Sequence, residues 1–254
     1  MNIKFLGASN SNPNPGMGQS GILLEFDGAN YLFDCGDGIP TKIWLDKTVV
    51  MNDINAIFIS HFDADHVGGI FPMIHLMHQR IKRSKENQPG RNGILEIFIP
   101  GEEAKRNFDE MASLFRLSEE YLAYKKAFVP FFGEQDIYED SNIKVSSFPT
   151  FHKQEGHGFV ITAGEKKIIF SGDASSPEVM SAYVDNADIV ITEGAHFPIE
   201  KIPPAFTGKN IKTVIITHLN DDKIKNNLAV IEILKPLSGE CNILFARDGM
   251  EIPI

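Results

Sequence analysis

Residues 56–70 have the sequence AIFISHFDADHVGGI, and the polar residues in this stretch decide the fold prediction. A short apolar, β-prone run over residues 56–59 predicts the end of a buried strand. Four potential metal ligands then follow within six residues, namely His61, Asp63, Asp65 and His66. Ligands on one tight loop cost little ordering entropy, so the pattern favours a divalent-cation site. The alternative is a helix capped by an aspartate, which leaves both histidines unexplained.

The spacing His61-x-Asp63-x-Asp65-His66 resembles the His-x-His-x-Asp-His signature of the metallo-β-lactamase superfamily, with aspartate replacing the second histidine. The segments FLGAS, SGILLE and YLFDCGDG are similar to the opening of the ribonuclease Z branch. After Gly38 the sequence departs from that branch, in which Thr-Gln usually follows. The resemblance implies an α/β fold, the four-layer αββα sandwich of the metallo-β-lactamase type.

The composition is that of an ordinary soluble globular protein. The chain has 254 residues, of which 43% are hydrophobic and 23% are charged. Its net charge of −10 disfavours binding of a large polyanion through overall charge. Two cysteines are too few for a disulfide framework, which fits a reducing compartment. No signal-peptide pattern opens the chain, and no apolar run approaches the roughly 18 residues of a membrane span. We therefore expect a cytoplasmic protein that does not enter a membrane.

Further polar residues follow apolar, β-branched runs later in the chain, namely His152, Asp173, His196 and His218. In α/β proteins sites lie at the carboxyl ends of strands, so we expect these side chains to gather at one sheet edge. His157 is an alternative to His152, because it lies only five residues further along. His152 is favoured because it directly follows the predicted strand VSSFPTF and precedes GHGFVI, as in the third motif of the family.

The resemblance implies a dinuclear centre that holds two divalent metal ions, zinc being favoured, with a bridging hydroxide as the attacking group. Carried over position by position, site one would use His61, Asp63 and His152. Site two would use Asp65, His66 and His218, with Asp173 as the bridge between the sites. Asp65 occupies the position of the family's combined ligand and general base, so it is also a candidate catalytic residue.

The aspartate at position 63 changes the charge of the predicted centre. Three carboxylates against two divalent cations leave a formal charge of +1, one unit less than the usual pattern. We expect weaker attraction of anionic substrates through the metals alone, and better tolerance of manganese or iron at the site that contains Asp63. Asp34 and Asp37 sit in a family motif that orients ligating histidines, although Asp37 before Gly38 also suits a simple turn. Cys35 is expected to be packed rather than reactive.

The ribonuclease Z-like N-terminal segments favour phosphodiester chemistry. That branch carries an additional histidine between the bridging aspartate and the last ligand, and His196 in TEGAHF is the candidate for this phosphate contact or general acid. The Gly/Pro-rich arm of tRNA-processing enzymes is not found, and the basic run at 80–85 fits either a phosphate contact or a solvated helix face. We therefore favour a small phosphodiester, such as a cyclic nucleotide or short oligonucleotide, with nucleic acid less favoured.

Three other functions stay open. They are a ribonuclease Z-type tRNA 3′-processing endonuclease, a lactone or ester hydrolase on the same centre, and a non-catalytic metal-binding protein. Related enzymes are often dimers, so a homodimer is an expectation, although nothing in this sequence marks an interface. We find no repeat or linker and expect a single domain over residues 1–254, with a mostly helical segment around 70–126. Residues 102–126 are predicted to be helical, and Ser118-Glu119-Glu120 suits a new helix start partway along.

Overall fold

The computed structural model describes residues 1–46, 50–84, 87–153, 155–220, 223 and 227–254. The described strands are β1 Asn2–Gly7, β2 Gly21–Phe26, β3 Ala29–Phe33, β4 Ile54–Phe58, β5 Ile94–Pro100, β6 Lys125–Phe131, β7 Gln135–Glu139, β8 Ile143–Pro149, β9 His157–Ala163, β10 Lys166–Phe170, β11 Ile189–Glu193, β12 Thr213–Thr217, β13 Asn242–Phe245 and β14 Glu251–Pro253. The described α-helices are α1 Ile39–Leu45, α2 Ala64–Val67, α3 Ile70–Ser84, α4 Glu102–Leu114, α5 Ile202–Phe206 and α6 Asn227–Leu234. Short 3-10 helices cover Met51–Asp53, Pro177–Met180, Ile199–Lys201 and Lys235–Leu237. None of the described helices is long and apolar enough to cross a membrane.

The chain divides into two compact units. Unit 1 contains residues Met1–Gly7, Gly18–Phe132 and Gly249–Pro253, and unit 2 contains Ala8–Met17, Gly133–Asp248 and Ile254. This division does not test the predicted single domain over residues 1–254, which stays a prediction.

Unit 1 is built on a seven-stranded sheet of order β14-β1-β2-β3-β4-β5-β6. The strands from β3 to β6 run parallel, so β3, β4 and β5 end at the same sheet edge. Helices α1, α3 and α4 cover this sheet through a buried apolar cluster that includes Ile43, Ile74 and Phe108. The loop that follows β4 carries the first four predicted ligands. Parallel order therefore places them beside the ends of β3 and β5.

Unit 2 is built on a second seven-stranded sheet, of order β13-β12-β11-β10-β9-β8-β7. Strands β10 to β13 are parallel, whereas β7 to β10 form an antiparallel meander. Its buried apolar cluster includes Phe148, Val190 and Leu234. The three central parallel strands, β10, β11 and β12, end at one edge, where the later predicted site residues follow.

The predicted strand that ends at residues 56–59 is confirmed, and β2 and β3 pair as a hairpin around Asp27-Gly28. Three short strands, β7, β13 and β14, carry too weak an alternation to be predicted. Lys85, the end of the predicted basic run, lies outside the described residues.

The prediction that residues 102–126 are helical, with a new helix start at Ser118, is wrong beyond Leu114. Helix α4 ends at Leu114, and residues 115–124 form turns that lead into β6. Arg116 adopts a left-handed backbone with φ 57°, and the Leu117 N–H donates to the Ala112 carbonyl at 2.7 Å. This is the bond pattern of a helix C-terminus at which glycine is usual, and an arginine at this position is no stop signal. The segment around 70–126 is consequently mixed, with β5 between its two longer helices.

Candidate metal centre

The metal-loop residues of unit 1 follow β4 and enter α2. Asp63 takes the N-cap position of α2 with an extended backbone, but its side chain makes no capping hydrogen bond. The capping alternative is therefore wrong for Asp63. Its carboxylate lies 3.7 Å from Nε2 of His61, and the carboxylate of Asp65 lies 3.6 Å from Nε2 of His66. The two imidazole rings are 4.1 Å apart between centroids. Unit 1 thus brings all four predicted ligands of the loop together.

Asp34, at the carboxyl end of β3, orients these histidines. It is fully buried, and its Oδ2 lies 2.7 Å from Nδ1 of His66. Its Oδ1 accepts the Ser60 N–H at 2.8 Å, and the Ser60 hydroxyl contacts both Oδ2 at 2.9 Å and Nδ1 of His61 at 3.0 Å. A carboxylate on Nδ1 fixes the ring and leaves Nε2 for a metal. The prediction for Asp34 rested on a motif, and the structure adds Ser60 as its link to His61.

The segment after Asp34 packs directly on the metal loop. A Cβ on Gly36 would lie 2.2 Å from the Asp65 carbonyl oxygen, so only glycine fits there. The Cys35 N–H donates to the His66 carbonyl at 2.7 Å, and burial raises the pKa of the Cys35 thiol, as expected for a packed cysteine. Asp37 is exposed, and its backbone N–H donates to Oε1 of Gln19, which suits the turn interpretation.

Three predicted site residues of unit 2, Asp173, His196 and His218, follow its central parallel strands, whereas His152 follows β8. Asp173 comes three residues after β10, and its two oxygens face different histidines. Oδ2 lies 3.8 Å from Nε2 of His152, and Oδ1 lies 3.4 Å from Nε2 of His218. His218 directly follows β12 with a left-handed backbone, φ 58°, and its N–H donates to the Ala8 carbonyl. Asp173 therefore has one oxygen beside each of two histidine rings, and its bridging role stays a prediction.

His196 lies beside Asp173 on the loop after β11. Its Nδ1 is 3.6 Å from Oδ2 of Asp173 and 3.2 Å from Oε1 of Glu193. Glu193 is fully buried, and its Oε2 also accepts the N–H groups of Ala195 at 2.7 Å and His196 at 3.0 Å. Glu193 therefore contacts both the backbone N–H and the ring Nδ1 of His196. The sequence signal for Glu193 was an acidic residue at the end of an apolar strand, and its orienting role was missed.

The donor atoms within each unit fit a metal. Two ligands bound at 2.0–2.1 Å with tetrahedral angles lie about 3.4 Å apart. The nitrogen–oxygen pairs around Asp173 and within the metal loop lie 3.4 to 3.8 Å apart, close to that separation. Donor atoms of Asp173, His196 and His218 lie within 4.8 Å of one another. Imidazole and carboxylate donors in these sets suit a divalent cation.

The remaining described histidines have structural roles. His157 lies in β9 and its Nδ1 contacts the Glu155 carbonyl at 2.9 Å, while burial lowers its pKa. The ring of His78 accepts the Ala123 N–H at 2.9 Å, and His75 is exposed on α3. His152 does not end its strand directly, since β8 stops at Pro149 and a turn intervenes. The reason given for preferring His152 was therefore wrong, yet His152 and not His157 contacts Asp173.

Replacing Asp34 with alanine is expected to weaken metal binding by about 10- to 100-fold, because Nδ1 of His66 and the Ser60 N–H lose their buried acceptor. Competition with a chromophoric chelator measures the affinity. Asp37→Ala is the matched control, since the Asp37 side chain is exposed. Equal affinities in the Asp34 variant and the control would contradict the orienting role.

Comparison with known proteins places these geometries in a family. Residues 1–202 match the family model described as anti-Pycsar protein Apyc1. Ribonuclease Z of Borreliella burgdorferi is 25% identical over 247 residues, which cover 91% of this chain and 73% of the relative. The metallo-β-lactamase fold protein YhfI of Bacillus subtilis superposes with a TM-score of 0.80 at 19% identity, covering 99% and 98% of the two chains. The short form of human tRNase Z gives a TM-score of 0.77 at 19% identity over 100% and 99%. The predicted metallo-β-lactamase type of α/β sandwich is confirmed.

Proposed function

Because this chain belongs to the family of anti-Pycsar protein Apyc1, a ribonuclease Z-like branch of the metallo-β-lactamase superfamily, and is a metal-dependent hydrolase, we propose that it is a phosphodiesterase acting on a small phosphodiester. The observation that carries the proposal is the Glu193–His196 pair beside Asp173. Nδ1 of His196 lies 3.2 Å from the buried Glu193 carboxylate and 3.6 Å from Oδ2 of Asp173, a proposed metal ligand. Such a histidine suits protonation of a departing alkoxide oxygen, which a phosphodiester requires.

We propose that the ligand sets of the two units serve one dinuclear centre, with zinc favoured by the imidazole donors. Site one would use His61, Asp63 and His152. Site two would use Asp65, His66 and His218, with Asp173 shared. The same proposal treats residues 1–254 as one functional domain. When bound, the metal ions supply Lewis-acid stabilisation of the negative charge on the phosphoryl oxygens.

The protein's own residues would divide the proton transfers. Asp65 would accept a proton from the attacking water, which forms the new P–O bond, while the bond to the leaving oxygen breaks. His196 would donate a proton from Nε2 to that oxygen, with Glu193 stabilising the charged ring. Asp34 and Ser60 would keep the ligating histidines in one tautomer throughout.

An aromatic cavity in unit 1 supports a nucleotide as the substrate. The cavity has a volume of about 790 Å³, and its walls include the rings of Phe62, Phe71, Phe108 and Phe115. Neighbouring rings are 5.3 to 5.6 Å apart between centroids, as in an aromatic cluster. Phe62 and Ala64, which line the cavity, alternate along the chain with the ligands Asp63 and Asp65. A nucleobase has a flat π-face that such side chains bind by stacking. We propose a cyclic nucleotide or short oligonucleotide.

A substrate panel tests the proposal. The metal-loaded protein would be assayed with bis(p-nitrophenyl) phosphate, cyclic nucleotides, short oligonucleotides, precursor tRNA, and a lactone and ester set. We expect the highest kcat/KM among cyclic nucleotides and short oligonucleotides. Turnover of esters without any phosphodiester would overturn the proposal. Cleavage of precursor tRNA alone would instead favour a tRNA 3′-processing endonuclease, the alternative supported by ribonuclease Z relatives at about a quarter identity.

Replacing Phe115 with alanine is expected to raise KM for cyclic nucleotides about fivefold or more, because loss of one base–aromatic stack costs about 1–3 kcal/mol. Phe115 is 55% exposed, so its removal leaves the core of unit 1 intact. Leu114→Ala is the matched control, since Leu114 is an exposed apolar neighbour that does not line the cavity. An unchanged KM in Phe115→Ala would show that the base does not bind there.

A further inference from the structure

Lys223 lies beside the loop that carries His196, and its ammonium group is directed at backbone carbonyls of that loop. It donates to the carbonyl oxygen of Gly194, to that of Phe197 at 3.3 Å and to that of Ala195 at 3.4 Å. These three carbonyls flank His196 on both sides in the chain. One side chain therefore satisfies the acceptors of a whole turn, which a neutral residue cannot do.

The loop is held from its other side by Glu193. That carboxylate accepts the N–H groups of Ala195 and His196, whereas Lys223 donates to carbonyls of the same segment. The segment thus lies between a buried anion and a half-buried cation, and each binds the backbone groups that match its charge. Charge-assisted hydrogen bonds of this kind are stronger than neutral ones.

Residues around Lys223 hold its contact with the His196 loop in place. The Lys223 N–H donates to Oδ1 of Asn220 at 3.0 Å, so the backbone of Lys223 is held as well as its side chain. Burial lowers the pKa of the Lys223 ammonium, while the charges of Glu193 and Glu200 favour its protonated form. Gly194 is packed tightly, since a Cβ there would lie 2.6 Å from Cδ2 of Leu219. The segment therefore has little room to move while Lys223 is bound.

We propose that Lys223 is a positioning residue that fixes His196 for its contact with the leaving oxygen of the substrate. The proposal rests on the function assigned to His196 in the phosphodiesterase. It goes beyond that function because it connects the turn after the ligand His218 with the loop of His196. Without the ammonium, three carbonyls lose their shared donor, and the ring would sample orientations in which Nε2 does not face the leaving oxygen.

Leaving-group dependence tests this role, because a merely structural residue would affect all substrates alike. A cyclic nucleotide expels an alkoxide that needs a proton, whereas bis(p-nitrophenyl) phosphate expels a stable phenolate that does not. For Lys223→Met we expect kcat on a cyclic nucleotide to fall about tenfold or more, and kcat on bis(p-nitrophenyl) phosphate to change less than about twofold. Lys223→Arg, which keeps charge and donors, should retain most of the cyclic-nucleotide activity.

His196→Gln and Lys209→Met complete the experiment. His196→Gln should show the same selective loss, and Lys209→Met, which alters a lysine paired with Asp185 in the same unit, should leave both rates unchanged. Equal losses on both substrates, or no loss, in Lys223→Met would overturn the proposal. An absence of selective loss in His196→Gln would overturn it as well. If the unaltered protein hydrolyses no phosphodiester, the proposed function itself fails, which is a distinct result. Thermal melting of each variant with metal bound identifies losses of activity that are caused by unfolding. If Lys223→Met unfolds, the activity of Lys223→Arg on the cyclic nucleotide tests the proposal.

Discussion

Replacing Asp65 with alanine is expected to reduce kcat/KM for cyclic nucleotides and for bis(p-nitrophenyl) phosphate by about 10³-fold or more. The variant loses a proposed metal ligand and a proposed general base at once, and general-base catalysis alone contributes about 10²- to 10⁴-fold. The carboxylate lies 3.6 Å from Nε2 of His66, so its removal also leaves that half of the donor set incomplete. Steady-state kinetics with defined metal, together with elemental analysis, measures both effects.

The fold of unit 1 should survive this change. The Asp65 backbone carbonyl, not its side chain, accepts the Ser20 N–H at 3.0 Å and lies against Gly36. Asp53→Ala is the matched control, because Asp53 is an exposed carboxylate of the same unit. Rates in Asp65→Ala equal to those of the control would reject the mechanism. A folded variant that lacks both metal and activity is the outcome expected here.

The sequence indicated candidate ligand positions because most of them follow apolar, β-branched runs. Strands β4, β10, β11 and β12 are short and largely buried, as expected for parallel strands covered on both faces, and each ends close to a polar residue. Such runs need no tertiary information to be recognised. The α/β sandwich, by contrast, was implied by the resemblance of residues 61–66 and of the N-terminal segments to the metallo-β-lactamase superfamily.

What the sequence could not reveal are contacts that depend on tertiary structure. Glu193 sits at the end of a strand like any other polar residue, and only the folded backbone shows its two oxygens holding His196. Ser60 links Asp34 to His61 through one hydroxyl, and a single serine carries no pattern. Helix α4 ends at Leu114 with Arg116 in the left-handed conformation that glycine usually adopts, and burial of Leu117 after it is visible only in the folded chain.

Replacing Asp63 with histidine is expected to restore the usual superfamily pattern and with it a preference for zinc. The Asp63 side chain is partly exposed and makes no capping bond, so histidine can enter without loss of a helix cap. The exchange of a carboxylate for a neutral imidazole raises the formal charge of the proposed centre from +1 to +2. We expect tighter zinc binding, by about tenfold, and a lower ratio of manganese-supported to zinc-supported activity, because a harder oxygen ligand suits manganese better.

The same substitution tests how the centre attracts its substrate. A more positive centre should lower KM for an anionic cyclic nucleotide, and the effect should shrink as ionic strength rises, since salt screens partly exposed charges. Stripping metal with a chelator and reloading the protein with zinc or manganese provides the measurement, and Asp53→His controls for an added histidine elsewhere in unit 1. If the unaltered protein already holds two zinc ions that manganese never displaces, and Asp63→His leaves the activity ratio unchanged, then the aspartate does not tune the metal. In that case Asp63 would replace histidine without altering metal preference, and its charge would matter only for substrate attraction.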